Sequence, residues 1–230
     1  MPKDIQKDQI DIYLKELAKE FKRLTSRKAN AEIIIVGGGS VMINYDFRMN
    51  SVDIDAFSTS EEAIKSAARI VAEKYSLPND WLNDDFKKTK SYSPKLREYS
   101  VHYRTYSNVL EFRTIKREYL IAMKMASSRK YKNDLSDILG ILYYHYTTQD
   151  EISFEEIEKA VLDLYENWNN ISDETKEFVE TAIRNRSFID GYERQKENEQ
   201  KIKESLISFE VDYPDITNED NIDEIISKLE

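Results

Sequence analysis

Two aspartates two residues apart, Asp53 and Asp55, interrupt the apolar run Val52-Asp53-Ile54-Asp55-Ala56-Phe57. A glycine triplet with a serine, Gly37-Gly38-Gly39-Ser40, lies one helix-sized spacer upstream. On a strand, side chains at i and i+2 leave the same face. Two carboxylates held so close repel one another unless a cation stands between them. Asp-Ile-Asp on a strand therefore suits a hard divalent ion, Mg²⁺ or Mn²⁺. The glycines follow the β-branched run Glu32-Ile33-Ile34-Ile35-Val36. At such a strand-to-helix turn, free backbone N–H groups can hold a phosphate, and Ser40 adds a hydroxyl. Together these features point to metal-bridged phosphoryl or nucleotidyl transfer, in which catalysis is mostly positioning and charge neutralisation. The plain alternatives are an ordinary glycine turn and an exposed strand end. The Gly-x-x-x-x-Gly-Lys pattern of a P-loop is missing, as is the periodic βαβ continuation of a dinucleotide fold.

Composition narrows the chemistry. Among 230 residues there is no cysteine, which excludes disulfides, thiolate catalysis and cysteine-based zinc sites. Two histidines, His102 and His145, are too few for a histidine-rich metal site, and both read as packing or surface residues. The net charge of −10 conceals an asymmetry. Residues 151–230 carry 23 acidic and 9 basic side chains, a net of −14, whereas residues 86–132 carry 13 basic and 3 acidic ones, a local +10. Overall acidity thus leaves room for a polyanionic partner such as RNA, though the basic run also suits a solvated surface. No stretch reaches 18 apolar residues, and Met1-Pro2-Lys3-Asp4 opens into an amphipathic pattern without a leader, so a cytoplasmic location is expected.

These residues need elements to hold them. Ile10, Tyr13, Leu14, Leu17, Phe21 and Leu24 recur at helical spacing and predict a helix over 5–26. Strands are predicted at 32–36 and 52–57, and a helix through about residue 74 that starts from two capping boxes, Ser58…Glu61 and Thr59…Glu62. The lysine-rich stretch between Pro78 and Pro94 reads as loop. Alternation over 99–105 and 109–114 predicts a hairpin, and helices follow from Lys116 onward, including 173–185, 190–208 and 221–229. The expected architecture is α+β: a small mixed β-sheet core flanked by helices over residues 1–150, then an acidic, all-helical C-terminal region over 151–230.

The glycine–serine turn followed by Ser51-Val52-Asp53-Ile54-Asp55 resembles the signature of nucleotidyltransferases related to DNA polymerase β. Within them it is most similar to the group that includes AbiEii-type toxins of abortive-infection and toxin–antitoxin systems. Ile121-Ala122-Met123-Lys124-Met125-Ala126-Ser127-Ser128-Arg129, followed by Lys132-Asn133-Asp134-Leu135-Ser136-Asp137-Ile138, resembles that group's helical Lys…Arg…Lys-Asp-x-x-Asp segment. The resemblance covers roughly residues 30–145. It implies Asp53, Asp55 and Lys124 as catalytic residues, with Gly38, Gly39, Ser40, Lys124 and Arg129 on the nucleotide. Arg48, Asp134 and Asp137 are further candidates. The superfamily's third metal carboxylate would be Glu111, with Glu98 in reserve; Glu111 equally suits a cross-strand partner for Arg113, Arg104 or Arg97. Lys124 also suits a snorkelling core lysine. Asp134 and Asp137 suit helix N-terminal charge, with a Lys130–Asp134 pair as a further role for Asp134.

The expected function is transfer of a nucleoside monophosphate from an NTP, with Mg²⁺ or Mn²⁺, to an acceptor hydroxyl on RNA such as tRNA, or on protein. A toxin role with a cognate antitoxin is implied by the resemblance alone. A catalytically inactive nucleotide-binding or interaction module, and a small-molecule (antibiotic-type) adenylyltransferase, are the alternatives.

Overall fold

The computed structural model describes residues 4–25, 29–214, 216–218 and 221–229. The chain opens with a two-residue strand, β1 (Ile5–Gln6), and continues as α1 (Lys7–Leu24), whose predicted stripe Ile10, Tyr13, Leu14, Leu17 and Phe21 is buried. Then come β2 (Ala31–Ile35), α2 (Gly37–Asn44), β3 (Asn50–Ser51), β4 (Ile54–Ser58), α3 (Glu61–Tyr75), β5 (Leu82–Asn83), β6 (Ser100–Tyr106) and β7 (Leu110–Ile115). The rest is helical: α4 (Arg117–Ser127), α5 (Asp134–Thr147), α6 (Phe154–Tyr165), α7 (Asp173–Asn185), α8 (Phe188–Asp212) and α9 (Ile222–Leu229). Among the described residues no helix is long and apolar enough to cross a membrane.

The fold is mixed α/β. Five strands form one sheet in the order β5-β4-β2-β7-β6, with β2 antiparallel to β4 and parallel to β7; β1 and β3 pair separately. Ile33, Ile35, Ile54, Ala56 and Phe112 share one face and are buried in a core with α1 and α3. The register puts Glu32, Ile34, Asp55, Phe57, Glu111 and Arg113 on the opposite face.

Local rules located most elements, and long-range contacts altered some. The hairpin turn is Ser107-Asn108, both at φ 54°, with Val109 N–H donating to Tyr106 O at 3.2 Å. That is the geometry that matches strand twist in a two-residue turn. The predicted strand at 52–57 is displaced to 54–58, so Asp53 stands just ahead of it. Neither predicted capping box forms at α3. Its N-cap is Ser60, without a side-chain bond, and Thr59 Oγ1 instead accepts the Glu32 N–H at 3.1 Å. The stretch read as loop contains β5. Trp81, fully buried, anchors it by donating Nε1–H to Ala68 O at 3.0 Å, while Trp81 O accepts the Ile54 N–H at 2.7 Å.

Two compact units emerge: the chain up to Met123 with Glu155–Trp168, and Lys124–Phe154 with Asn169 onward. The boundary expected at residue 150 is thus drawn differently. The sheet unit takes most of α6, and α5 groups with α7, α8 and α9 because it packs on α8.

Candidate functional site

In the sheet unit, β2 delivers the chain into α2 without a loop. Val36 N–H donates to Asp55 O at 2.9 Å, which brings the aspartate strand against the glycine turn. Gly37, Gly38 and Gly39 form the first turn of α2, so their N–H groups have no intrahelical partner. Gly37 sits at φ 54°, and a Cβ there would stand 3.2 Å from Asp55 Oδ2. A Cβ at Gly38 would stand 2.7 Å from Arg48 Nη2 and 3.1 Å from Ser51 Oγ. The glycines therefore let a carboxylate and a guanidinium approach the backbone closely. Gly39 faces inward, against Ile35 and Ile54. Of the nucleotide-binding candidates in this turn, Gly38 is brought beside Arg48, one of the further candidates, Gly39 packs the helix on the sheet, and Ser40 does neither. Its side chain is fully buried, where Oγ accepts the Ile115 N–H at 3.2 Å and ties α2 to β7.

Asp53 and Asp55 are both half-buried. Asn83 lies opposite Asp55 in the β4–β5 ladder and donates its amide to Asp53 Oδ2 at 3.1 Å, so both carboxylates share the face opposite the α1/α3 core. Sequence reasoning missed Asn83. A two-residue strand has no periodicity, and its only signal was the apolar pair Trp81-Leu82 inside a polar stretch.

Glu111 does not join this pair. It is on the same face, but it aligns with Glu32, whereas Asp55 aligns with Val36. Four residues along a strand and two strands across amount to about 13 Å and about 10 Å. Glu111 instead accepts from Arg113 Nη1 at 2.7 Å, a partner two residues along the same strand rather than across the sheet. Continuing the register puts apolar Ile115 level with Asp55. Glu98 ends the turn before β6. Among the described residues no three Asp, Glu or His side chains are grouped to hold one ion. Asp53 and Asp55 could therefore offer at most two carboxylates to one ion, a set that would suit Mg²⁺ only with substrate phosphates completing the shell.

In the second unit, the helical motif closes on itself. Lys124 Nζ is buried, 2.8 Å from Asp134 Oδ1 and 2.8 Å from Asp137 Oδ2. Asp134 Oδ2 also accepts from Arg129 Nε at 3.0 Å and from the Arg129 N–H at 3.1 Å. Burial alone would raise the Asp134 pKa, but Lys124 and Arg129 hold it well below the ordinary carboxylate value. Beside them Glu199 of α8 accepts from Leu135 N–H and Ser136 N–H, both at 3.1 Å, and from the Ser136 hydroxyl at 2.5 Å. It caps α5, whose own N-cap, Asn133, makes no side-chain bond. Burial raises the Glu199 pKa to about 7 despite those bonds, with Asp137 and Asp134 adding to the rise. Glu199 lies beyond the recognised motif, and nothing local marks it.

The basic run at 86–132 is largely answered by acids. Lys87 pairs with Glu61 and Asp84, Lys88 with Asp85, Lys95 with Glu166, Arg97 with Glu32, and Arg104 with Asp11. Arg113 pairs with Glu32 and Glu111, and Arg117 with Glu118 and Glu156. Exposed pairs add little stability, but they cancel the field a polyanion would feel at a distance.

A glycine turn at a helix start thus lies against Asp55 of β4, with Asp53 one residue ahead of the same strand. Residues 13–193 match the family described as a nucleotidyltransferase of unknown function (DUF6036), and the chain belongs to that family. No curated protein and no solved structure matches the chain.

Proposed function

We propose that this chain is a metal-dependent nucleotidyltransferase that moves a nucleoside monophosphate from an NTP to an acceptor hydroxyl. The observation that carries it is the closeness of Asp55 to Gly37: a Cβ there would stand 3.2 Å from Asp55 Oδ2, which sets one metal-type carboxylate beside the first turn of α2, where N–H groups lack intrahelical partners. The α2 turn would hold phosphate oxygens, with Arg48 beside Gly38 adding positive charge. Asp53 and Asp55 would hold Mg²⁺ or Mn²⁺ against the triphosphate. The bound ion would supply charge neutralisation at the transferring phosphorus.

The resemblance implies a nucleotide-binding role for Lys124 and Arg129, which belong to the second unit. They would first have to exchange Asp134 and Asp137 for phosphate oxygens. The paired cations favour a protein or small-molecule hydroxyl over RNA as acceptor. A toxin role with a cognate antitoxin is supported by the motifs alone. A second reading, a nucleotide-binding module that does not catalyse, is favoured by the two-carboxylate donor set.

Incubation with each α-labelled NTP, Mg²⁺ or Mn²⁺ and cell extract tests these readings. Label on a macromolecule or small molecule identifies nucleotide and acceptor together. NTP binding without any labelled product selects the non-catalytic module, and no binding of any NTP overturns both.

A further inference from the structure

Asp53 stands one residue ahead of β4, so no strand pairing fixes its side chain. Yet one of its oxygens is held. We propose that Asn83 is the positioning residue for the metal-binding carboxylate of Asp53, an inference that rests on the nucleotidyltransferase reading above.

The Asn83 carboxamide is oriented on both ends. Its Oδ1 accepts the Asp85 N–H at 2.9 Å, which assigns the other end as the amide. That amide donates to Asp53 Oδ2 at 3.1 Å and to Asp80 O at 3.1 Å. With Oδ2 tied to Asn83, the Asp53 carboxylate would be held in one orientation from which it could offer its remaining lone pairs to a cation. A lysine or arginine in place of Asn83 would also grip the carboxylate, but it would compete with the metal for its charge. A neutral amide orients without competing.

The support extends inward. Asn83 is opposite Asp55 in the ladder, so one strand serves both carboxylates. β5 is fixed in turn by Trp81, whose indole bonds Ala68 O and whose carbonyl takes the Ile54 N–H. Such outer-shell partners commonly change metal affinity by about 10–100-fold when removed.

The test is Mn²⁺ binding by electron paramagnetic resonance, with Mn²⁺ alone and with inorganic tripolyphosphate, on wild type, Asp53→Asn, Asn83→Leu and Asn83→Ser. Serine keeps an acceptor for the Asp85 N–H but cannot reach Asp53, so it separates positioning from local folding. Asn83→Ser should melt close to wild type and bind Mn²⁺ about tenfold more weakly or worse. Its transfer rate should recover at saturating Mn²⁺, as a positioning role requires. Wild-type affinity in Asn83→Ser, alongside lost binding in Asp53→Asn, overturns the role of Asn83 alone. Wild-type affinity in Asp53→Asn, or no Mn²⁺ binding by the wild type, overturns the metal-site reading and this inference with it.

Discussion

Asp55 lies close against Gly37: a Cβ on Gly37 would stand 3.2 Å from Asp55 Oδ2, and Gly37 is at φ 54°. The backbone conformation favours glycine, and a Cβ would in addition require the Asp55 carboxylate to give way by a few tenths of an ångström. Gly37→Ala should lower stability by about 1–2 kcal/mol, because alanine is strained in the left-handed region. It should also push Asp55 away from the α2 turn and weaken tripolyphosphate binding. A melting curve and a binding titration check both; undiminished affinity would separate the turn from phosphate binding.

Asp53→Asn and Asp55→Asn should each reduce nucleotidyl transfer by about a hundredfold or more, since the charge that holds the ion is gone. Both carboxylates are half-buried, so removal of one should cost little stability. Labelled-NTP transfer and thermal melting, run on the same preparations, are the measurements. Full activity in both variants sinks the metal-site reading; loss of the fold makes the pair structural.

Lys124 answers two buried carboxylates, so Lys124→Met should destabilise the protein by about 3–5 kcal/mol at neutral pH, although the methionine fills the space. The pH dependence has a definite sign. The Asp134 pKa is lowered by folding, so its contribution is present above the ordinary carboxylate value and lost as pH falls below it. Urea unfolding should therefore show a wide gap between wild type and variant at pH 7 that narrows only below about pH 4, toward pH 2. An equal gap at both values would mean the cost is packing rather than charge.

Glu199 has the opposite sign. Its pKa is raised to about 7 from 4.5, so its contribution is fully present below about pH 4.5 and is lost as pH rises to about 7. The loss is at most about 3 kcal/mol. Glu199→Gln keeps an acceptor for the Leu135 and Ser136 N–H groups and cannot ionise. The variant should be more stable than wild type at pH 8, and the two should converge toward pH 5. Parallel stability curves over that range would show that Glu199 does not titrate in it.

What was legible in the sequence was what short-range physics sets. Helical spacing located the α1 stripe from Ile10 to Phe21. α7, Asp173–Asn185, spans the residues its pattern predicts. β-branching marked β2, and glycine chemistry marked the turn beside Asp55. Strand parity even put Glu111 on the same face as Asp55. Each depends on residues within a few positions of one another, where period and backbone preference act.

Tertiary structure decided the partners. Strand parity names a face but not a level along it, and the register sets Glu111 level with Glu32, four residues along the sheet from Val36 and Asp55. Ser40, placed by sequence at a phosphate turn, is spent on the Ile115 N–H, because α2 lies against β7. Asn83 reaches Asp53 only through a two-residue strand that Trp81 pins from the core. Asp134 and Glu199 make the contrast plainest. Both are acids buried at the start of α5, yet one is held charged by Lys124 and Arg129, while the other is met by two N–H groups, a hydroxyl and two neighbouring acids. A carboxylate's charge in the interior is set by which charges surround it, and side chains 64 positions apart, such as Leu135 and Glu199, meet only once the chain has folded.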